Sequence, residues 1–175
     1  MSTWKSDGAH SRLGVKVKHL MVSTVYGEFK SFEVTLSSKN DDFDDSSVSF
    51  VADANSIFTN NDARDGHLKS ADFLDTEKFK TIEFVSTAFK KIDDSKYEIK
   101  GDLRLRGVTK EITFTANLTG KGTAMDKSEL VAFEIEGVIN RIDFGVSWNS
   151  AIETGGVVVS ENVWFNGAFE LKKTD

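Results

Sequence analysis

The chain has no cysteine and no proline, and only two tyrosines beside fourteen phenylalanines. Without cysteine it can form neither a disulfide nor a thiolate metal site. That excludes thiol chemistry but fixes no compartment. Without proline every residue keeps its backbone N–H, which suits a protein built mostly of ladder-paired strands. The bias toward phenylalanine favours a deep apolar interior over a polar stacking surface. No apolar run approaches the roughly 20 residues of a membrane-spanning helix. Met1 to Lys5 lack the apolar segment of a signal peptide. The expected location is therefore the cytoplasm, or the periplasm if the chain is a trimmed mature form. A concentrated basic face is missing too. The net charge is -6, with Lys16, Lys18, Lys90, Lys91, Lys172 and Lys173 scattered among acids, so nucleic acid is not an expected partner. With 175 residues and no linker, repeat or low-complexity segment, a single domain spanning 1–175 is expected.

What the chain does have is period-two alternation. Tyr97, Ile99, Gly101, Leu103 and Leu105 alternate with charged residues, and Ile112, Phe114, Ala116 and Leu118 alternate with Glu111 and a run of threonines and asparagine. This is the pattern of a hairpin with one dry and one wet face. A two-residue loop, Arg106-Gly107, sets Asp102 against Glu111. A four-residue loop over 106–109 sets Arg104 against Glu111 and Gly101 against Phe114. The longer loop is expected, because like charges directly opposite are destabilising.

Similar patterning marks strands over 14–22, 25–37 (bent at Gly27), 48–54, 82–90, 96–106, 110–119, 130–141 and 159–172. Residues 40–45, rich in aspartate, read as a solvated turn. Eight antiparallel strands at this spacing indicate a closed barrel or a sandwich. Residues 57–79 lack alternation but carry helix-entry signals. Asn60 or Asn61 can cap with Asp62 in the first turn, and Ser70 can cap a second short turn over 71–74. One or two short helices are expected there.

Gly101, Gly137 and Gly167 each lie in phase with the apolar residues of their strand. Glycine packs nothing there, so its recurrence needs a reason. One is curvature, where glycine relieves crowding at a barrel corner. The other is clearance of a lumen for an apolar guest, which is the expectation for Gly101 in particular.

Catalytic and metal readings are weak. Asp7, His10 and Ser11 cluster, and Asp65 stands near His67, but no G-x-S-x-G elbow supplies an activated serine. His10, His19, His67 and Asp65 lack i,i+2 or i,i+4 ligand spacing, so no metal site is expected. The expected role of these residues is to tie loops to the barrel. Arg141 and Asp143 are expected to close a turn through a charge-assisted hydrogen bond. Lys110 falls in the inward phase beside the hairpin loop, where it could meet a polar head group at a barrel mouth.

Six segments in order resemble the YceI-like family of lipid- or polyisoprenoid-binding proteins: WKSDGAHS (4–11), VKHLMVSTVYGEF (17–29), NSIFTNNDARDGHLKSADFLD (55–75), IEFVST (82–87), GDLRLRGVTK (101–110) and NRIDFGVSW (140–148). Each alone is weak; together they are specific and span the chain. The family often has a proline before the I-x-F strand, where this chain has Lys80-Thr81. The resemblance implies an extended, eight-stranded antiparallel lipocalin-like barrel with an apolar tunnel for an isoprenoid chain, such as a polyprenyl or quinone tail, held for storage or transport without catalysis. On that reading the tunnel lining is Val17, Phe29, Phe84, Ile99, Gly101, Leu103, Ile112, Phe114, Phe133, Ile135, Gly137, Phe165, Gly167 and Phe169, with Lys110 as the head-group candidate. No cofactor is implied beyond a bound isoprenoid lipid or quinone. A transient membrane contact and a homodimer stay open. Two alternatives remain: an enzyme, hydrolase-like or other, acting on an apolar substrate at the barrel mouth, and a stress-related structural protein whose core is filled by its own phenylalanines.

Overall fold

Alternation along the chain becomes a ladder of antiparallel strands in the computed structural model, which describes residues 1–151 and 156–175. The strands are β1 (Ser2–Ser6), β2 (Arg12–His19), β3 (Ser23–Phe29), β4 (Phe32–Ser38), β5 (Ser47–Asp53), β6 (Ile57–Phe58), β7 (Thr81–Lys91), β8 (Lys96–Leu105), β9 (Val108–Thr123), β10 (Glu129–Asn140) and β11 (Asn162–Lys173). Eight of them, β1, β4, β5, β7, β8, β9, β10 and β11, form a ring that closes through pairing of β11 with β1. The remaining three, β2, β3 and β6, extend the wall from β11 beyond the closed ring. The fold is the expected lipocalin-like barrel.

Closure depends on how β11 is shared. Its C-terminal part pairs with β1 (Ser6 opposite Leu171), and its N-terminal part pairs with β2 (Ala168 opposite Arg12). Residues 7–11 bridge the two. The Asp7 N–H donates to the Glu170 carbonyl at 2.9 Å. The Glu170 N–H donates to Ser11 Oγ at 3.1 Å. Strand β1 was missed in the sequence because Trp4 is its one large apolar residue. Trp4 is nevertheless buried, opposite Leu36 and Lys173.

The expected strand over 25–37 is two strands, interrupted at Lys30-Ser31. Gly27 is not the bend; it pairs regularly with Val15. The break lets β3 stay with β2 and β6 while β4 turns to meet β1 and β5. One helix forms, α1 (Asp62–Lys69), capped by Asn61, whose side chain accepts from the Arg64 N–H at 2.9 Å. The second expected helix is a run of turns.

The hairpin loop is the shorter one. Leu105 pairs with Val108, Gly101 stands opposite Ile112 and Asp102 opposite Glu111. Arg106 and Gly107 both take positive φ (49° and 72°), the geometry of the two-residue turn that matches strand twist. Repulsion between Asp102 and Glu111 is offset because Lys100 Nζ sits 3.3 Å from Glu111 Oε1. Turn geometry outweighs a screened surface charge pair.

An aromatic cluster seals one end of the barrel. Phe43 makes edge contacts with Trp4 at 5.6 Å and Phe133 at 5.5 Å, and Tyr97 lies 5.8 Å from Phe133 and 5.3 Å from Phe89. The aspartate-rich turn is thus not wholly solvated: Phe43, at its centre, is 2% exposed. Its φ is 60°, an uncommon conformation for a bulky residue, held because the ring is anchored on all sides. Tyr97, fully buried, donates its hydroxyl to the Asp42 carbonyl at 2.6 Å. Burial, with Asp42 and Asp44 adding to it, pushes its pKa up.

Candidate functional site: an apolar cavity inside the barrel

Above the aromatic seal the dry faces do not meet. They enclose a cavity of about 620 Å³. Its wall is aliphatic and aromatic: Leu13, Val15 and Val17 from β2, Val34 and Leu36 from β4, Ile82, Phe84 and Phe89 from β7, Ile99, Leu103 and Leu105 from β8, Phe114 from β9, Phe133, Ile135 and Ile139 from β10, and Val163, Phe165 and Phe169 from β11. Phe114 packs edge-on between Phe84 (5.3 Å) and Phe165 (5.5 Å), so the rings form a girdle round the space rather than filling it.

Polar side chains reach the cavity at the end remote from the seal. They are His19, Thr59, Arg64, His67 and Arg141; Lys16 and Lys18 border the same end from β2, in the outward phase opposite Tyr26 and Thr24. Arg141 is 2% exposed and organises this end. Its guanidinium donates to the carbonyls of Ser160 (2.8 Å), Val146 (2.6 Å), Trp148 (2.9 Å) and Val159 (3.3 Å). Burial lowers its pKa while Glu161 opposes the shift. These bonds hold residues 146–148 and 159–160 together as a rim. Trp148 then packs 4.8 Å from His67 on α1, and Val159 bridges to His19 on β2.

A barrel of this topology, with a hollow apolar interior and one sealed end, can be placed among known proteins. The model of the YceI-like domain matches residues 4–171. The chain belongs to the YceI-like family. A UPF0312 protein of Staphylococcus aureus strain MSSA476 is 40% identical over 172 residues, 98% of each chain. Among solved structures, the fold is similar to that of BcnA from Burkholderia cenocepacia, with a TM-score of 0.82 and 19% identity over 94% of this chain and 98% of that one. It is also similar to a polyisoprenoid binding domain from Saccharophagus degradans implicated in plant cell wall breakdown, with a TM-score of 0.71 and 13% identity over 98% of each chain.

In this YceI-like barrel, Val17, Phe29, Phe84, Ile99, Leu103, Phe114, Phe133, Ile135, Phe165 and Phe169 all border the cavity. Ile112 is in phase with them but packs into the flanking core. Lys110 is exposed and stands apart from the lining, opposite Leu103 near the turn. The rim residues His19, Arg64, Trp148 and Val158 leave no signal in the sequence, because they sit on a strand end, a short helix and loops without strand periodicity.

The three inward glycines do not clear the lumen. A Cβ on Gly101 would lie 2.3 Å from the Val85 carbonyl oxygen and 2.5 Å from Phe84 Cζ; one on Gly137, 2.4 Å from Phe165 Cζ; one on Gly167, 2.5 Å from Phe169 Cε2. Each glycine leaves room for a phenylalanine ring to lie across the strand. At Gly101 it also admits the backbone beside a bulge in β7, where the register with β8 shifts between Ser86 and Ala88. The clearance expectation is corrected to one of ring packing and curvature.

The polar clusters of the YceI-like chain serve its loops. Asp65, 7% exposed, accepts from the Thr59 N–H at 2.9 Å and from its hydroxyl at 2.5 Å, while Arg64 Nε donates to Thr59 Oγ1 at 2.7 Å. His67 turns away from Asp65 and pairs with Asp72 at 2.8 Å. His10 Nδ1 lies 2.8 Å from Asp7 and 3.7 Å from Glu170, and the three ligand atoms are close enough together to hold a metal ion. Ser11 Oγ is spent on the Glu170 backbone. The expected bond of Arg141 to Asp143 is replaced by bonds to the rim carbonyls.

Proposed function

We propose that the protein binds a long isoprenoid lipid, as a store or carrier, with the tail in the barrel cavity and without chemical turnover. The observation that carries this reading is the cavity of about 620 Å³, open at the rim, with an aliphatic and aromatic wall. A volume in this range is typical of small-molecule sites. If a methylene takes about the 30 Å³ of a liquid water, the space holds roughly twenty carbons, or four isoprene units. A longer tail would extend past the rim. Burying twenty carbons at about 0.8 kcal/mol each provides at most about 16 kcal/mol. Ordering the tail subtracts from that, and what remains is ample for tight binding without polar contacts. The structural neighbour from Saccharophagus degradans is a polyisoprenoid binding domain, which supports the same ligand class. A head group would then meet Arg64, His67 and the Arg141-braced rim rather than Lys110.

A cavity of this size speaks against a core filled by the protein's own phenylalanines. Ser11 Oγ is bonded to the Glu170 backbone on both its donor and acceptor sides, so it is not activated as a nucleophile. The test is mass spectrometry of an organic extract of the purified protein, repeated after incubation with geranylgeraniol, a prenol of four isoprene units. A prenyl lipid recovered in stoichiometric amount and chemically unchanged is expected. No bound prenol after incubation, or a modified one, overturns the reading.

A further inference from the structure

We propose that the β2–β3 hairpin tip, residues 20–22, inserts into an anionic phospholipid bilayer and so brings the cavity rim to the membrane surface. The proposal rests on the lipid-binding reading above and names where the lipid is exchanged.

The tip is a three-residue loop between paired His19 and Ser23, and its first part is a tight turn whose residues depart from what such a turn selects. Val22 N–H closes onto the His19 carbonyl at 3.0 Å, and the two central residues are Leu20 at φ 52° and Met21 at φ 63°. Such positions strongly favour Asn-Gly, since both need a left-handed backbone and face water. Here the strained backbone carries apolar side chains, with Leu20, Met21 and Val22 exposed to 41%, 62% and 83%. Two unfavourable choices at one place, strain and apolar exposure, point to function rather than folding.

The surroundings identify the partner. One register row crosses the outer wall below the tip: Tyr26 on β3, Lys16 on β2, Trp164 on β11 and Val138 on β10. Tyrosine and tryptophan beside lysine is the composition of a bilayer interface belt. Lys16 stands four residues from Leu20, about 13 Å along a strand. With a typical barrel tilt the belt lies about 10 Å below the tip, near the depth at which interfacial elements sit. Lys18 lies between belt and tip, and among the described residues neither lysine is in an ion pair. On the strands below the belt the first acidic side chains are Glu28 and Glu136, and Glu28 is already paired with Arg12 and Lys30; at the rim, Glu161 and Asp143 are exposed, with Glu161 close enough to Arg141 to act on its charge. The strip of wall running from the belt to the tip therefore carries Lys16 and Lys18 among apolar side chains on a protein of net charge -6, and these lysines favour an anionic surface.

The position also fits the traffic. The cavity lining reaches His19, from which the tip springs, and Val158, whose carbonyl accepts from the Leu20 N–H at 2.9 Å. A tail leaving the rim would enter the bilayer beside the tip without crossing water.

The test is flotation with phosphatidylcholine vesicles, with and without phosphatidylglycerol, together with uptake of geranylgeraniol from detergent micelles. The wild type is expected to float with the anionic vesicles. Met21→Asp with Val22→Asp is expected to reduce flotation about tenfold or more, with unchanged melting and unchanged uptake from detergent. Lys16→Gln and Lys18→Gln are each expected to weaken binding about fivefold, only on the anionic vesicles. A wild type that floats with neither vesicle, or a tip variant that floats as well as the wild type, overturns the proposal. Failure of the wild type to take up the prenol from detergent overturns the lipid-binding reading instead, since flotation is scored without a cavity ligand.

Discussion

Phe165 lies across Gly137, its cross-strand partner, so closely that a Cβ on Gly137 would fall 2.4 Å from the ring's Cζ. The glycine and the ring form one packing unit, in which an aromatic side chain covers a strand glycine. Gly137→Ala should therefore displace the ring and also press on Phe114 Cβ, 2.9 Å away. The expected cost is about 1–3 kcal/mol in urea denaturation. Adding Phe165→Leu should recover part of it. Gly101→Ala should cost more, because the obstruction there is the Val85 backbone carbonyl at 2.3 Å, which a rotamer change cannot relieve. Full additivity in the Gly137–Phe165 double-mutant cycle would show that the two do not act as a unit.

Arg141 should be essential to the rim. Arg141→Met keeps much of the side-chain volume but leaves the carbonyls of Val146, Trp148, Val159 and Ser160 without their donor. Hydrogen bonds to charged groups contribute about 1.5–3 kcal/mol each, so a loss of about 3 kcal/mol or more is expected. Hydrogen exchange should show it most at residues 157–160, with the ladder of β7 to β10 little changed. Uniform deprotection across the barrel would contradict the assignment of Arg141 to the rim.

The loop between β1 and β2 should carry a pH signature. The hydrogen bond that His10 donates to Asp7, with the Asp7 and Glu170 charges behind it, raises the pKa of His10 above its usual 6.5. The same bond, with the Ala9 N–H, holds Asp7 below its usual 3.8. A raised histidine stabilises the fold fully below 6.5, and that contribution fades as the pH rises through the folded value. A lowered aspartate stabilises above 3.8, and its contribution fades as the pH falls. Wild type minus Asp7→Asn should thus show its largest difference in melting temperature between about pH 4 and 6.5, shrinking on either side. His10 should titrate above 6.5 by NMR in the wild type and fall toward it in Asp7→Asn; equal midpoints would refute the coupling.

Most of the barrel is legible in the chain because burial on one face leaves a period of two. The eight strands β2, β4, β5 and β7 to β11, each with three or more inward apolar residues, can be read this way, and the cavity wall follows from the same phase. Where a single contact or a turn decides, the pattern is silent. Strand β1 is fixed by Trp4 and by pairing with two distant strands. The break between β3 and β4 falls at Lys30-Ser31, which carries no proline or glycine. The β8–β9 loop is set by Arg106 and Gly107 accepting positive φ, a backbone preference stronger than the repulsion of Asp102 and Glu111. The inward glycines were legible as an anomaly. Their cause, three phenylalanine rings folded over them, depends on side-chain rotamers that no spacing encodes. The rim is the least legible part, since Arg141 binds carbonyls whose position, not identity, matters.

Ile135 offers a direct test of whether the interior is open. Its neighbours on the adjacent strands are Ala116 and Gly167, and it borders the cavity, so a larger side chain there points into space rather than into a neighbour. Gly101 cannot serve this purpose, since its inward side is blocked by backbone. In a filled core, Ile135→Trp would cost about 1–3 kcal/mol by overpacking. In an open cavity of about 620 Å³ the indole should fit with little loss of stability, and burial of its surface should offset some strain. The lipid-free variant is therefore expected to melt near the wild type, while its uptake of geranylgeraniol falls sharply. Ile135→Ala should do the reverse, losing about 2–5 kcal/mol of stability and still binding the prenol per folded molecule. A destabilised Ile135→Trp that binds normally would mean that the interior closes on itself.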